Sequence, residues 1–403
     1  MSLNETVSAE RVHITFFGLR NAGKSSLVNA VTGQKLSIVS DIRGTTTDPV
    51  KKAMELLPLG PVVITDTPGL DDVGELGAMR IKKAMEALAR TDVAVLVTDA
   101  TQNRSELENK LIGEFNKRGL PYLIAYNKAD LLSDKDALQP DALYVSALTG
   151  ENVNELKNRL ADFAKKQKKE KYLVADLLSR GDCVVLVVPI DASAPKGRLI
   201  LPQQQVLREL LDAHCTALVC QPEELSETII GMKKAPKLVI TDSQVFETVA
   251  ASLNDNVPLT SFSILFARYK GNLPTLLRGA NAIALLKNND KVLIAEGCTH
   301  HRQCGDIGTQ KLPAWISSYC SAKPEFHFCS GTEFPEDLNS FSLIVHCGGC
   351  MLNETEMKNR INRAVNAGVP IVNYGIAIAR MHGILNRSIR PFPELNQKSA
   401  AYE

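Results

Sequence analysis

The stretch Gly18-Leu-Arg-Asn-Ala-Gly23-Lys24-Ser25 decides the fold of the first part of this 403-residue chain. It fits the pattern G-x-x-x-x-G-K-[ST], and it follows the apolar run HITFF and precedes the helix-forming run SLVNAVT. In a loop between strand and helix, glycine N–H groups approach phosphates, Lys24 neutralises phosphate charge and the Ser25 hydroxyl ligates Mg²⁺. The stretch therefore predicts a P-loop fold that binds a nucleoside triphosphate.

Three further motifs follow in the order typical of a guanine-nucleotide site. Asp66-Thr-Pro-Gly69 ends the apolar run VVITD, which places the Asp66 carboxylate toward the metal and the Gly69 N–H toward the γ-phosphate. Asn127-Lys128-Ala-Asp130 follows the run YLIAYN, and Asp130 can accept hydrogen bonds from guanine N1–H and N2–H₂, which adenine does not offer. Ser146-Ala147 supplies the remaining base loop. The four motifs together predict a GTPase.

This first domain resembles the TrmE–Era–EngA–septin branch of GTPases, because Thr46 in Arg-Gly-Thr-Thr-Thr-Asp matches the switch I threonine of that branch. The resemblance implies that Thr46 closes onto Mg²⁺ and the γ-phosphate. It also implies potassium activation, because Asn21 matches an asparagine that helps to hold K⁺; a surface-turn asparagine is the alternative. Leu70 replaces the water-orienting glutamine of Ras-like enzymes, which predicts slow hydrolysis without a compensating group.

The predicted site residues fall into two sets. Lys24, Thr46, Asp66 and Gly69 are predicted to act in hydrolysis. The residues predicted to hold GTP or GDP with its Mg²⁺ and K⁺ are Gly18, Asn21, Ala22, Gly23, Lys24, Ser25, Ser26, Thr46, Asp66, Asn127, Lys128, Asp130, Ser146 and Ala147, with Ser25 and Thr46 on magnesium and Asn21 on potassium.

Composition limits the kinds of partner. Lys plus Arg number 46 and Asp plus Glu 45, so a net charge of +1 provides no field that would hold nucleic acid. No run of 18 or more apolar residues occurs and the first residues show no signal-peptide pattern, so we expect a cytoplasmic protein without a membrane segment. An odd count of nine cysteines favours reduced thiols or metal ligands over disulfides.

Apolar runs alternate with helical patterns along the whole chain, which predicts an α/β fold. The expected architecture is a P-loop GTPase domain followed by two further α/β units with mainly parallel sheets. The basic stretch KKQKKEK at 165–171 ends the first unit; CVVLVV, TALVC and KLVIT are strand patterns of the second, and VLIA, FHF, SLIV and PIVNY those of the third. The predicted domains are 1–168, 172–266 and 267–403.

Cysteines and histidines follow two apolar strands of the third unit. Cys298-Thr-His300-His301 comes after VLIAEG, and His346-Cys347-Gly-Gly-Cys350 comes after FSLIV. Because the carboxyl ends of parallel strands meet at one crevice, the thiolates of Cys298, Cys347 and Cys350 are predicted to hold three irons of a [4Fe–4S] cluster. The fourth iron is then open, or bound by His300 or His346.

Alternatives remain for this cysteine site. The same side chains could instead bind a structural zinc ion. Each histidine could also be a strand-end residue whose ring is hydrogen-bonded to the backbone. A helix expected to begin near Asn353 turns its positive end toward Cys350, which would lower the thiol pKa. Of the other thiols, Cys183, Cys215 and Cys220 are expected to be buried apolar residues, and no role is assigned to Cys304, Cys320 and Cys329.

A GTPase domain of this branch followed by Cys298/His300 and His346/Cys347/Cys350 resembles the family of [FeFe]-hydrogenase maturation GTPases, HydF, over the whole chain. The resemblance implies three domains in the order GTPase, dimerisation domain and cluster-binding domain. It implies a homodimer that receives a transient two-iron precursor made with the radical-SAM maturases HydE and HydG and delivers it to apo-[FeFe]-hydrogenase. The rival functions are a tRNA-modifying or ribosome-associated GTPase, and a GTPase regulated by a structural cluster or zinc.

Overall fold

The computed structural model describes residues 8–34, 49–70, 75–135, 138–167, 171–190, 199–297, 306–331 and 333–395. The chain divides into two compact units, Met1–Glu170 and Lys171–Glu403. No helix within the described ranges is long and apolar enough to cross a lipid bilayer.

The first unit is built on one six-stranded sheet with the strand order β2-β3-β1-β4-β5-β6. Strand β2 runs antiparallel to β3, and the other pairs are parallel. The strands are β1 (Val12–Gly18), β2 (Val50–Leu56), β3 (Gly60–Asp66), β4 (Val93–Asp99), β5 (Tyr122–Asn127) and β6 (Ala142–Tyr144), and the helices are α1 (Lys24–Thr32), α2 (Glu75–Leu88), α3 (Glu106–Lys117) and α4 (Val153–Gln167).

Helices cover both faces of this sheet, because successive side chains of a buried strand point to opposite sides. Phe16 packs with Leu27 of α1 and Leu160 of α4 in one apolar cluster. Phe17 packs with Phe115 of α3 in another. Strand β2 escaped the sequence analysis, because its run VKKAMEL has mostly exposed side chains and carries little apolar signal.

The second unit contains two four-stranded parallel sheets, with the orders β10-β9-β7-β8 and β12-β11-β13-β14. Their strands are β7 (Cys183–Val187), β8 (Thr216–Cys220), β9 (Leu238–Thr241), β10 (Leu259–Ser261), β11 (Lys291–Ala295), β12 (Glu325–Cys329), β13 (Leu343–His346) and β14 (Ile371–Asn373). The helices are α5 (Leu201–Asp212), α6 (Leu225–Ile230), α7 (Phe246–Ala251), α8 (Phe262–Lys270), α9 (Leu273–Asn281), α10 (Leu312–Cys320), α11 (Glu354–Asn366), α12 (Tyr374–Met381) and α13 (Leu385–Ile389).

The two sheets of the second unit share one strand plan. In each, the first strand of the sheet in the sequence lies inside, with the second strand on one side and the third and fourth on the other. The fold class predicted from the sequence, a P-loop GTPase domain followed by two α/β units with mainly parallel sheets, is confirmed.

Helix α8 joins the two halves of the second unit. It begins directly after β10, with the Ser261 side chain accepting a hydrogen bond from the Ile264 N–H, and it contacts both α5 and α12. One continuous apolar core includes residues of both sheets and of α8. The predicted domain boundary between residues 266 and 267 falls inside this helix, and a division into domains at that point stays a prediction.

Candidate functional site

The P-loop connects β1 to α1 with two glycines that no other residue could replace without a clash. Gly23 precedes α1 in the left-handed conformation (φ 83°), and a Cβ there would lie 2.2 Å from the Asn127 Nδ2. A Cβ on Gly18 would lie 2.2 Å from the Val97 carbonyl oxygen. The Lys24 ammonium donates to the Leu19 carbonyl at 2.6 Å, so it already faces the concave side of the loop. The loop therefore has the backbone shape that a phosphate-binding loop requires.

Ser25, which is predicted to bind magnesium, lies beside Asp66, whose carboxylate is predicted to face the metal. Parallel pairing of β1 with β3 sets Phe16 opposite Asp66, and the Ser25 hydroxyl donates to the Asp66 Oδ2 at 2.6 Å. Asp66 is buried, and paired hydroxyl and carboxylate oxygens suit a hard divalent cation. Thr46, the third predicted residue on this side, lies outside the described residues.

The Asp66-Thr-Pro-Gly69 segment passes close to the P-loop. A Cβ on Gly69 would lie 3.0 Å from the Cα of Arg20, so glycine allows this approach. The next residue, Leu70, is buried in the apolar cluster that contains Phe17 and Leu88. Its side chain is therefore directed into the core, and it cannot orient a water for attack on phosphate.

Asn127 links the P-loop to the base loop. Its Nδ2 donates to the Ala22 carbonyl at 3.0 Å, and its Oδ1 accepts from the Ala147 N–H at 3.0 Å. Asp130 accepts a hydrogen bond from the Ser146 hydroxyl. The residues predicted to select guanine, from the two base motifs, are thus brought together.

Asp99, at the end of β4, is a site residue that the sequence analysis missed. Burial alone would raise the pKa of Asp99, but hydrogen bonds from Lys128 and Thr101 hold this pKa below its ordinary value. Lys128 itself has a positive φ of 66° and forms an ion pair with Asp99. This ion pair holds the Asn-Lys-x-Asp turn in place. The sequence feature that could have indicated it is Asp99 itself, which ends β4, the strand next to β5.

Asn21 is exposed on the P-loop and adopts a positive φ of 60°. Asparagine tolerates this conformation, so the geometry suits both the predicted potassium ligand and a turn residue. The potassium role of Asn21 stays a prediction.

A second candidate site lies where β11 and β13 end side by side. The register pairs Ala295 with His346, and the segment 346–352, here called the cysteine loop, begins at that point. The Gly297 N–H donates to the Cys347 Sγ at 3.0 Å, and the Gly349 N–H approaches the same sulfur at 3.4 Å. Two backbone donors therefore face this sulfur, an arrangement that suits a site with negative charge on sulfur.

Part of the predicted cluster site is not described. Cys298 and His300 lie outside the described residues, and within the described ranges no group of three or more His, Cys, Asp or Glu side chains is arranged to hold a metal ion. The pair Cys347 and Cys350 is described, and both thiols are half-buried. The residue adjoining Cys298, Gly297, bonds directly to the cysteine loop, so the described contacts fit the predicted donor set.

The prediction that the helix beginning near Asn353 lowers the thiol pKa is wrong for the metal-free chain. Helix α11 begins at Glu354 with Asn353 as its cap, as predicted. Burial nevertheless raises the pKa of Cys350, with the Lys270 charge opposing it, and burial together with the neighbouring Cys350 raises the pKa of Cys347 to about 11. A metal must therefore displace protons from these thiols when it binds.

His346, one of the two histidines predicted as a ligand, is fully buried in a hydrogen-bonded network. Arg360 donates from Nη1 to the His346 Nε2 at 3.1 Å, so the proton is on Nδ1, which donates to the Cys347 carbonyl at 2.8 Å. Arg360 also bonds to Glu356 at 2.7 Å and to the Gly331 carbonyl at 2.6 Å. Burial and the Arg360 charge lower the pKa of His346 to about 3, so the ring is neutral.

The remaining described cysteines are either buried or half-buried. Cys215 and Cys220 are buried in the apolar core, as predicted, whereas Cys183 is half-buried. Cys329 ends β12 opposite Ala295, and its burial raises its pKa to about 11. Cys320 is half-buried. Cys304 lies outside the described residues.

Together the fold and the first site define a P-loop GTPase domain. Residues 13–128 match the family model described as a 50S ribosome-binding GTPase. Residues 173–271 match the hydrogen maturase F dimerization domain and residues 274–391 match the hydrogen maturase F tetramerization domain, so these two models span more than half of the chain. The chain belongs to the hydrogen maturase F (HydF) family.

The curated relatives match less than two fifths of this chain. The tRNA modification GTPase MnmE of Bordetella petrii is 35% identical over 156 residues, which cover 38% of this chain and 34% of that protein. The GTPase Der of Kosmotoga olearia is 34% identical over 131 residues, 31% of this chain and 29% of that protein. This chain thus spans about a third of the length of these relatives. Among solved structures, Era of Aquifex aeolicus bound to GDP and AlF₄⁻ is 20% identical, covers 52% of this chain and 92% of that chain, and has a TM-score of 0.35.

Proposed function

We propose that this chain is a GTP-hydrolysing scaffold and carrier for the maturation of [FeFe]-hydrogenase. It holds a [4Fe–4S] cluster on Cys298, Cys347 and Cys350, receives a two-iron precursor made with HydE and HydG, and delivers it to the apo-hydrogenase. The observation that carries the cluster part is the 3.0 Å hydrogen bond from Gly297 to the Cys347 sulfur, which brings the residue before Cys298 onto the cysteine loop. When bound, the cluster supplies a redox-active iron with an exchangeable position.

GTP hydrolysis in this proposal depends on the first unit. Lys24 binds the β- and γ-phosphates, Ser25 and Asp66 hold Mg²⁺ directly or through water, and Asp130 selects guanine. Thr46 and the Gly69 N–H engage the γ-phosphate and release it after hydrolysis. The loss of these contacts is the switch that changes how partners dock.

The fourth iron is better assigned to His300 than to His346, or left open for the precursor. Both ring nitrogens of His346 are already hydrogen-bonded within the protein, and Arg360 would have to withdraw before Nε2 could bind iron. A hydrogen bond to a charged group typically contributes about 1.5–3 kcal/mol, and this bond would be lost. We therefore propose that His346 supports the cysteine loop through its bond to the Cys347 carbonyl.

The names of the family models favour a homo-oligomer, in agreement with the predicted homodimer. The tRNA-modifying alternative draws on relatives such as MnmE, whose match covers 38% of this chain. The second unit instead matches hydrogen maturase F domains. That observation favours hydrogenase maturation over work on tRNA or the ribosome.

Delivery of iron tests the proposed function directly. The reconstituted chain is loaded with a ⁵⁷Fe-labelled two-iron precursor and mixed with apo-[FeFe]-hydrogenase. We expect labelled iron to appear on the hydrogenase together with hydrogen evolution, and the Cys298/Cys347/Cys350 triple serine variant to deliver none. A wild-type chain that binds its cluster yet transfers no label would instead be a GTPase regulated by a structural cluster.

Replacing potassium with sodium should slow GTP hydrolysis by roughly tenfold, equivalent to about 1.4 kcal/mol of transition-state stabilisation. The physical reason is that K⁺ beside the phosphates adds a positive charge where negative charge develops. Steady-state phosphate release in matched chloride salts measures the effect, and Asn21→Ala should remove most of the difference between the salts. Equal rates for the wild type in both salts would contradict the potassium role of Asn21.

A further inference from the structure

Lys270 is a buried cation at the end of helix α8, and it contacts the cysteine loop. The residue is 2% exposed. Its ammonium donates to the Leu352 carbonyl at 2.8 Å, to the Cys350 carbonyl at 3.1 Å and to the Gly349 carbonyl at 3.4 Å. An ammonium group has three N–H donors, so one side chain serves three carbonyl groups of the loop backbone.

The cysteine loop needs such a support. Gly348 and Gly349 separate the two thiols, and Gly349 has a positive φ of 64°, so the backbone there has little conformational preference of its own. Loop carbonyls that leave water must find donors elsewhere. Lys270 supplies those donors from a helix whose buried face is part of the core, so the loop is fixed against a rigid element.

The contact also connects two parts of the second unit. Helix α8 lies in the segment that matches the dimerization domain, whereas the cysteine loop lies in the segment that matches the tetramerization domain. The Phe266 ring, one turn earlier on α8, lies 5.3 Å from the Lys270 Nζ and covers the charge with an aromatic face. The position of the thiol pair is therefore coupled to α8.

We propose that Lys270 is a positioning residue for the metal cluster: its ammonium fixes the backbone of the cysteine loop and places a buried positive charge beside the thiolates of Cys347 and Cys350. This inference rests on the proposed function only in that the loop carries a cluster; the fixing of the loop is a property of the metal-free chain as well.

The charge has a consequence for redox chemistry. A cluster held by three thiolates is anionic, and reduction adds one further negative charge. A buried cation interacts with that added charge more strongly than a solvated one does, because little water screens it. Lys270 therefore stabilises the reduced cluster relative to the oxidised cluster and raises the reduction potential.

Lys270→Met tests both parts, because methionine keeps most of the apolar length and removes the charge and the donors. In the reconstituted full chain, an EPR-monitored titration should show a reduced-to-oxidised ratio about tenfold lower at a fixed potential, a shift of about 59 mV for one electron. In the cluster-free chain, hydrogen exchange of the amides in 346–352 should become faster. Lys358→Met is the matched control, because it removes a half-exposed lysine of α11 that pairs with Glu354; we expect neither readout to move.

The outcomes separate this inference from the proposed function. If the wild type binds a cluster and Lys270→Met changes neither the potential nor the exchange of the loop, the inference is wrong and the scaffold function stands. If the wild type binds no cluster, the scaffold function fails, and faster exchange in the cluster-free variant still supports the fixing of the loop. If Lys270→Met does not fold, Lys270→Gln, which keeps N–H donors and loses the charge, carries the potential measurement; an unchanged potential there overturns the electrostatic part.

Discussion

Lys24→Ala should lower GTP turnover by at least about 100-fold while the first unit stays folded, because removal of one preorganised charge or donor at a transferring group typically has effects of that size or larger. Lys24 lies at the start of α1 and its ammonium reaches the concave side of the P-loop, where it donates to the Leu19 carbonyl at 2.6 Å. We expect bound phosphate to replace that carbonyl as the partner of the ammonium group. Phosphate release under saturating GTP measures the loss.

The control for Lys24→Ala is Lys110→Ala on α3, which removes an exposed lysine of the same unit that pairs with Glu106. An exposed pair contributes little to stability, so this variant should hydrolyse GTP at the wild-type rate. Circular dichroism and binding of a fluorescent GDP separate loss of chemistry from loss of fold. Turnover retained in Lys24→Ala would show that the P-loop is not the hydrolytic site.

The nucleotide site was largely predictable from the sequence because its parts are contiguous motifs at strand ends. Ser25 and Asp66 are 41 residues apart, yet their oxygens meet at 2.6 Å. Asp66 ends β3, and Ser25 lies in the first turn of α1, directly after the P-loop that leaves the neighbouring parallel strand β1. Asp99 was not predictable in the same way. Its ion pair with Lys128 depends on β4 and β5 being neighbours in the sheet, which a local motif does not state.

For the second site, the sequence indicated the cysteines but not the charged residues Lys270 and Arg360 that contact the cysteine loop and His346. Lys270 is the last residue of α8, where lysine normally faces water and complements the helix dipole, so no local sequence pattern predicts its burial. The burial of Arg360 was weakly indicated by the sequence, because Arg360 lies on the same face of α11 as the buried residues Met357, Ile361 and Ala364. The bond from Arg360 occupies the Nε2 atom of His346, and the position of this histidine beside the cysteines in the sequence does not indicate that contact. Its role as a cluster ligand stays a prediction.

Replacing Cys298, Cys347 and Cys350 together with serine should remove the cluster, and Cys350→Ser alone should lose most of its iron with the fold retained. Serine hydroxyls are poor ligands for the iron of such clusters, whereas thiolates are the preferred ones. After anaerobic reconstitution with iron and sulfide, the wild type should contain about four irons per chain and give a reducible [4Fe–4S] EPR signal. The triple variant should contain fewer than about one.

Cys329→Ser is the matched control, because Cys329 is a buried thiol at the end of β12, beside the strand that leads to Cys298. Its signal should equal that of the wild type if the cluster needs the three predicted thiols and no other. A loss of iron in Cys329→Ser with an unchanged fold would add this residue to the ligand set, since its strand ends at the same edge as β11. A colourless wild-type protein that contains zinc would contradict the scaffold function, because zinc has no redox chemistry and closes its ligand shell at structural sites.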